Sequence, residues 1–67
     1  MKKSFIKITR MQKEYSQEQM SRLLDISLRH YQKIENSEVA PNVYLGLKLA
    51  KILEIDPYYL FDIDNKE

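Results

Sequence analysis

The hydrophobic pattern is most regular in the middle of the chain, where it predicts two short helices joined by a tight turn. The inward residues of the first helix recur at spacings of three and four: Met20, Leu23 and Leu24. Tyr31 and Ile34 continue this kind of spacing in the second helix. The other positions of the second helix carry mostly polar side chains, so its outward face is available to an outside partner.

The predicted turn consists of Asp25, Ile26 and Ser27. Aspartate is one of the few residues other than glycine that tolerate a left-handed backbone. Ile26 is expected to point into the core, Ser16 to cap the first helix of the pair, and Ser27 to cap the second. An outward helix with Arg29 and Lys33 on one face has the shape and chemistry to enter a DNA major groove.

A further helix is predicted before this pair. It runs from about Ser4, its N-cap, to Glu14. Phe5, Ile8 and Tyr15 fall on one stripe of this helix and are expected to face inward.

Two more helices are predicted after the pair. The fourth helix extends over residues 43–54 with Asn42 as its cap, and its inward positions are expected to be Val43, Leu47, Ala50 and Leu53. Asp56 followed by Pro57 predicts the start of a short fifth helix over residues 58–61. The polar tail over residues 64–67 is expected to fray. The sequence therefore predicts an all-α fold of five helices.

Size and composition predict one small domain. The chain has 67 residues, of which 43% are hydrophobic, so its core is thin. We expect a free energy of unfolding of about 3–5 kcal/mol. The chain contains no cysteine, and no apolar run resembles a signal peptide or a membrane span. These features predict a cytoplasmic protein without a membrane partner.

The charges are unevenly distributed although the net charge is only +1. Residues 1–36 carry eight basic and four acidic side chains, whereas residues 37–67 carry three basic and six acidic ones. The first half is thus +4 and the second half −3. This separation would orient the first half toward a polyanion. The alternative is ordinary surface charge that happens to segregate.

Residue types that support catalysis or metal binding are not arranged as those functions require. His30 is the one histidine, and without cysteine it does not build a metal site. The chain has no nucleophile elbow and no phosphate-binding loop. The sequence predicts no enzyme, no cofactor and no small-molecule ligand. For His30 the remaining alternatives are a phosphate contact and plain surface.

A resemblance to the phage-repressor (Xre/Cro-type) helix-turn-helix family is carried by the run SQEQMSRLLDISLRHYQKIEN, followed by AP and LKLAKILEI. The family pattern is approximately S/T-Q-E-x-L-A-x-x-L-G-V-S, then x-x-x-I-x-x-I-E-N/R-G, a proline, and L-x-L-A-x-x-L. The matching positions are Ser16, Gln17, Glu18, Met20, Leu24, Ile26, Ser27, Tyr31, Ile34, Glu35, Asn36, Pro41, Leu47, Ala50 and Leu53. The resemblance extends from about Ile6 to Phe61, with the helix-turn-helix at about residues 16–36. It implies a compact five-helix domain that binds double-stranded DNA.

The resemblance also implies which residues contact DNA. The expected base contacts are Leu28, Arg29, Gln32 and Lys33. The expected phosphate contacts are Arg10, Ser16, Gln17, Ser27, Asn36 and Asn42. Arg10 and Glu35 match family positions that pair beneath the DNA-facing surface, so they are expected to be structural first. The alternatives are plain surface charge for Arg29 and Lys33, a stray exposed side chain for Leu28, a phosphate contact for Gln32, and a capping-turn residue for Gln17.

The sequence departs from the family pattern at three glycine-related positions. Asp25 and Ser37 replace glycines that favour a positive φ, and Ser37 suits that conformation less well, which predicts a different path for its loop. Gly46 stands where the family has a large apolar residue, and it permits close approach of another element.

Apolar residues around Gly46 and in the C-terminal segment exceed what the core of a monomer needs. They predict a homodimer interface that consists of Tyr44, Leu45, Gly46, Tyr58, Tyr59, Phe61 and Ile63. The leading hypothesis is a dimeric, sequence-specific repressor on a near-palindromic operator. The alternative is an antitoxin or adaptor that captures a protein partner and binds its own operator.

Overall fold

A computed structural model describes residues 3–57, with side chains from residue 5 onward. Its four helices are α1 (Lys3–Gln12), α2 (Gln17–Leu24), α3 (Leu28–Glu35) and α4 (Val43–Leu53). No strand occurs within residues 3–57, which agrees with the predicted all-α class. The predicted fifth helix over residues 58–61 lies outside the described residues. None of the described helices has the length and apolar character to cross a bilayer.

Side-chain caps begin three of the helices. The Ser16 hydroxyl accepts a hydrogen bond from the backbone N–H of Gln19 at 2.9 Å, and the Gln19 side chain accepts one from the N–H of Ser16 at 2.7 Å. This reciprocal pair is a capping box. Ser27 and Asn42 each accept from a backbone N–H three residues ahead, at 3.0 and 2.8 Å. The caps predicted for α2, α3 and α4 are confirmed.

Left-handed residues turn the chain between helices. Asp25 has φ 60°, as predicted, and its N–H donates to the carbonyl of Arg22. Ser37 has φ 64°, so the different path predicted for its loop is wrong. The N–H of Glu38 donates to the Lys33 carbonyl at 2.8 Å and closes the end of α3 around that left-handed residue. The same conformation occurs at Glu14 and Glu54.

The core is one cluster that packs against the inward face of α3. Its buried members are Ile6, Met20, Leu24, Tyr31, Ile34, Leu45, Leu49 and Leu53. Ile26 is half-buried and packs against the cluster from the turn, in agreement with its predicted direction. Met20 and Tyr31 are fully buried, so the two central helices meet through the residues that their periodicity indicated.

The inward stripe predicted for α1 is wrong in part, since Tyr15 packs against the core as predicted but Ile8 does not. Ile8 is 52% exposed, whereas Ile6, Thr9 and Arg10 are buried. Because Arg10 pairs with a buried carboxylate on α3, the helix presents the side that carries Arg10 to the core. The helix also ends two residues before Glu14, where the chain turns left-handed.

The inward face of α4 was also predicted wrongly in part. Val43 and Leu47 are exposed, whereas Leu45 and Leu49 are buried. The leucines of α4 form two stripes, and either could face the core. Only the neighbouring lysines indicate that the stripe with Leu47 faces outward. Leu45 and Gly46 are buried within the single chain, so their predicted place in a dimer interface, which stays a prediction, has no support from exposed surface.

Candidate nucleic-acid interface

The outward face of α3 carries the predicted base-contacting residues. Leu28 and Arg29 are exposed at the start of the helix, and Gln32 and Lys33 are half-buried one turn later. An open groove of about 340 Å³ runs beside this face, and its lining residues are Ser27, Arg29, His30, Lys33, Val39 and Ala40. Three basic or titratable side chains therefore border one concave surface.

The charges on α3 are free to meet an outside anion. Elsewhere on the surface, Lys13 pairs with Glu54 at 3.2 Å, and Arg22 pairs with Glu18 at 3.4 Å. Within residues 3–57, neither Arg29 nor Lys33 has an ion-pair partner. An approaching phosphate or guanine would therefore not need to displace an existing carboxylate.

Helix N-termini supply further sites for phosphates. Ser16, Ser27 and Asn42 are exposed at the starts of α2, α3 and α4, where free backbone N–H groups and the helix dipole favour an anion. Asn36 is exposed too, but it caps the C-terminal end of α3, where the dipole is unfavourable for an anion. Contact with phosphate stays a prediction for all four residues.

A polar network lies directly beneath this face and links α1, α2 and α3. Arg10 donates from Nε to Glu35 Oε2 at 3.1 Å and from Nη1 to the carbonyl of Tyr15 at 2.8 Å. Gln17 Nε2 donates to Glu35 Oε1 at 2.7 Å. Gln32 Nε2 in turn donates to Gln17 Oε1 at 3.2 Å. Both carboxylate oxygens of the buried Glu35 are therefore occupied.

This network gives Arg10 the structural role that was predicted first. The residue is only 8% exposed, and its guanidinium is held between Glu35 and a backbone carbonyl. The structure agrees with the predicted pairing of Arg10 with Glu35, and the phosphate contact of Arg10 stays a prediction.

Tyr31 lies against the same network. Its ring is fully buried, and its hydroxyl oxygen has no hydrogen-bond partner among the described residues. Burial, and then the neighbouring Glu35 carboxylate, raise the pKa of Tyr31 far above its ordinary value, against a smaller opposite effect of Arg10. The hydroxyl is therefore neutral, and the ring packs in the core instead of stacking on a base.

A second, apolar surface lies on the outward side of α4. An open groove of about 640 Å³ is lined there by Leu23, Tyr44, Leu47, Lys48, Lys51 and Ile52. We call it the α4 groove. Tyr44 is 67% exposed, and the Lys48 ammonium lies 5.6 Å from the centre of its ring.

The α4 groove contains one of the predicted dimer residues, Tyr44. Tyr58, Tyr59, Phe61 and Ile63 lie outside the described residues. The sequence assigned Leu23 and Leu47 to the core, although both are exposed here. The signal that was available for Leu47 is the pair Lys48 and Lys51, which lie next to it and one turn after it on α4.

Comparison with known proteins gives one result. Residues 6–60 match the model of a protein family described as Helix-turn-helix. No curated protein and no solved structure matches the chain significantly.

Proposed function

This chain belongs to the Xre/Cro-type helix-turn-helix family, and from that premise we propose that it is a dimeric repressor that binds a specific, near-palindromic DNA operator. The observation that carries this proposal is the state of Arg29 and Lys33. Both lie on the outward face of α3 without an ion-pair partner among residues 3–57. Beneath them, the buried network holds α3 in place.

In the proposed complex, α3 contacts the bases and the helix N-termini contact the DNA backbone. The outward face of α3 enters the major groove, where an arginine donates two hydrogen bonds to guanine O6 and N7. Leu28 would contact a thymine methyl group. Ser16, Ser27 and Asn42 contact the backbone on either side and orient the domain, without reading sequence.

Arg29→Ala is expected to weaken binding to the operator by about 1–3 kcal/mol, because a bidentate base contact is lost. It should also relax base preference at one position in each half-site. The measurement is fluorescence anisotropy on a duplex selected from a random pool and on a shuffled duplex, at several salt concentrations.

Lys7→Ala is the matched control for Arg29→Ala, since it removes one positive charge from an exposed position of α1, off the outward face of α3. Base preference should stay intact in this variant. If folded Arg29→Ala protein kept both the affinity and the preference of the wild type, α3 would not be the helix that reads DNA.

Dimerisation is the second part of the proposal, and the α4 groove supports it. An apolar surface with an exposed tyrosine and leucine is typical of a protein–protein contact. A twofold dimer would place its two α3 helices in successive major grooves, about 34 Å apart.

Leu47→Ser is expected to disrupt the dimer while leaving the fold intact, because Leu47 is 52% exposed. Sedimentation on a duplex with two half-sites should give two wild-type chains per duplex and a single chain for the variant at the same concentration. Met11→Ser, at an exposed position of α1, is the control and should behave as the wild type. One wild-type chain per palindromic duplex would contradict the dimer and favour the adaptor alternative.

A further inference from the structure

The hydrogen bonds around Glu35 have a direction that chemistry alone determines. Glu35 is a buried carboxylate paired with Arg10, so its oxygens only accept hydrogen bonds. The group of Gln17 that lies 2.7 Å from Glu35 Oε1 must therefore be its NH₂. The amide oxygen of Gln17 then faces Gln32, which must donate from its own NH₂ across 3.2 Å.

This direction determines what Gln17 offers to the outside. An amide NH₂ has two donors, and Glu35 takes one of them. The amide oxygen is occupied by Gln32. The Gln17 side chain is thus left with one free N–H donor, beside the second lone pair of its oxygen, and this donor suits an anionic acceptor such as a DNA phosphate oxygen.

We propose that Gln32 is a positioning residue that holds the Gln17 amide with its free N–H toward the DNA backbone, and that it is not a base reader. The inference rests on the proposed DNA binding and changes the role of Gln32 within it. Without the donor from Gln32, the Gln17 amide keeps only its bond to Glu35 and rotates about it. The free N–H of Gln17 then has no defined direction. Its contact with a phosphate is weaker, because the amide must lose this rotational freedom when DNA binds.

Gln32→Met tests this role, because methionine has a similar size and helix propensity but no N–H donor. Binding should weaken about three- to tenfold, the usual worth of one hydrogen bond. The loss should be equal on the selected duplex and on the shuffled duplex, with the salt dependence unchanged. In a Gln17→Ala background, the same substitution should have no further effect. Gln12→Met, at an exposed glutamine of α1, is the matched control.

A second measurement does not require DNA. Side-chain ¹⁵N relaxation of the free protein should show a rigid Gln17 NH₂ group in the wild type and in Gln12→Met, but a mobile one in Gln32→Met. Thermal unfolding of all variants checks that the domain is intact.

The outcomes separate the two proposals. A changed base preference in Gln32→Met, or an undiminished effect in the Gln17→Ala background, would make Gln32 an independent DNA contact. An equally rigid Gln17 amide in Gln32→Met would also overturn the positioning role. Wild-type protein that binds no duplex would refute the proposed function, while the relaxation data would still decide whether Gln32 orients Gln17.

Discussion

Arg10→Met is expected to lower the free energy of unfolding by about 3–5 kcal/mol, because it leaves the Glu35 carboxylate buried without its partner. The Arg10 and Glu35 side chains are only 10% and 1% exposed. A loss of this size equals the whole stability that we expect for so small a domain. Circular dichroism during urea and thermal unfolding at neutral pH measures it.

The control for Arg10→Met is the double variant Arg10→Met/Glu35→Gln. Glutamine at position 35 has no charge to leave unpaired, and its side-chain oxygen still accepts from Gln17. Most of the lost stability should return in the double variant. A loss below about 1 kcal/mol in Arg10→Met would show that the pair contributes no more than a surface salt bridge.

Ile34→Ala is expected to cost about 2–5 kcal/mol, the usual range for truncating a buried isoleucine. Ile34 lies in the core cluster on the inward face of α3, and it is 2% exposed. Its removal leaves a cavity beneath the helix that we propose reads DNA. Urea unfolding gives the stability, and weaker DNA binding should accompany any unfolded fraction.

Ile8→Ala is the matched control for Ile34→Ala, because it is the same substitution at an exposed position of α1. Its effect on stability should lie within about 0.5 kcal/mol. The hydrophobic pattern placed Ile8 in the core, whereas the structure places it on the surface, and the two predict different losses of stability for Ile8→Ala. Equal losses in the two variants would mean that α1 is rotated from the orientation described.

The central helices and their caps were predictable because their signals are local. Ser16, Ser27 and Asn42 each act on a backbone N–H three residues ahead, so sequence spacing is sufficient to find them. The left-handed turn at Asp25 is local as well. The resemblance to a family added the pairing of Arg10 with Glu35, which are 25 residues apart.

The facing of α1 and α4 was less predictable because it depends on tertiary packing. In α4, leucines occur on both possible inward stripes, and the contact with α2 decides between them. In α1, the pattern of apolar residues favoured Ile8 over a charged residue, yet the buried residue is Arg10. Hydrophobic periodicity assigns a charged side chain to the surface. The burial of Arg10 is explained by its ion pair with Glu35 on α3.

The direction of the hydrogen bonds in the polar network could not be predicted from the sequence for a similar reason. Gln32 lies on α3 at a position that suits a base contact, and nothing local indicates that its donor points toward Gln17. That direction follows from the buried Glu35, which lies three residues further along α3.

The left-handed residues at the ends of α1, α2, α3 and α4 have a consequence for how the domain can evolve. None of them is glycine, and each carries conformational strain of about 1–2 kcal/mol, least at Asp25. A glycine in place of Glu14 or Ser37 would remove that strain from the folded state. The net gain in stability would be smaller by about 0.4–1 kcal/mol, because glycine gives the unfolded chain more conformational freedom. The domain therefore has unused ways to gain thermal stability in its turns, away from the face of α3. Such gains would let α3 accept destabilising substitutions that alter its DNA preference without loss of the fold.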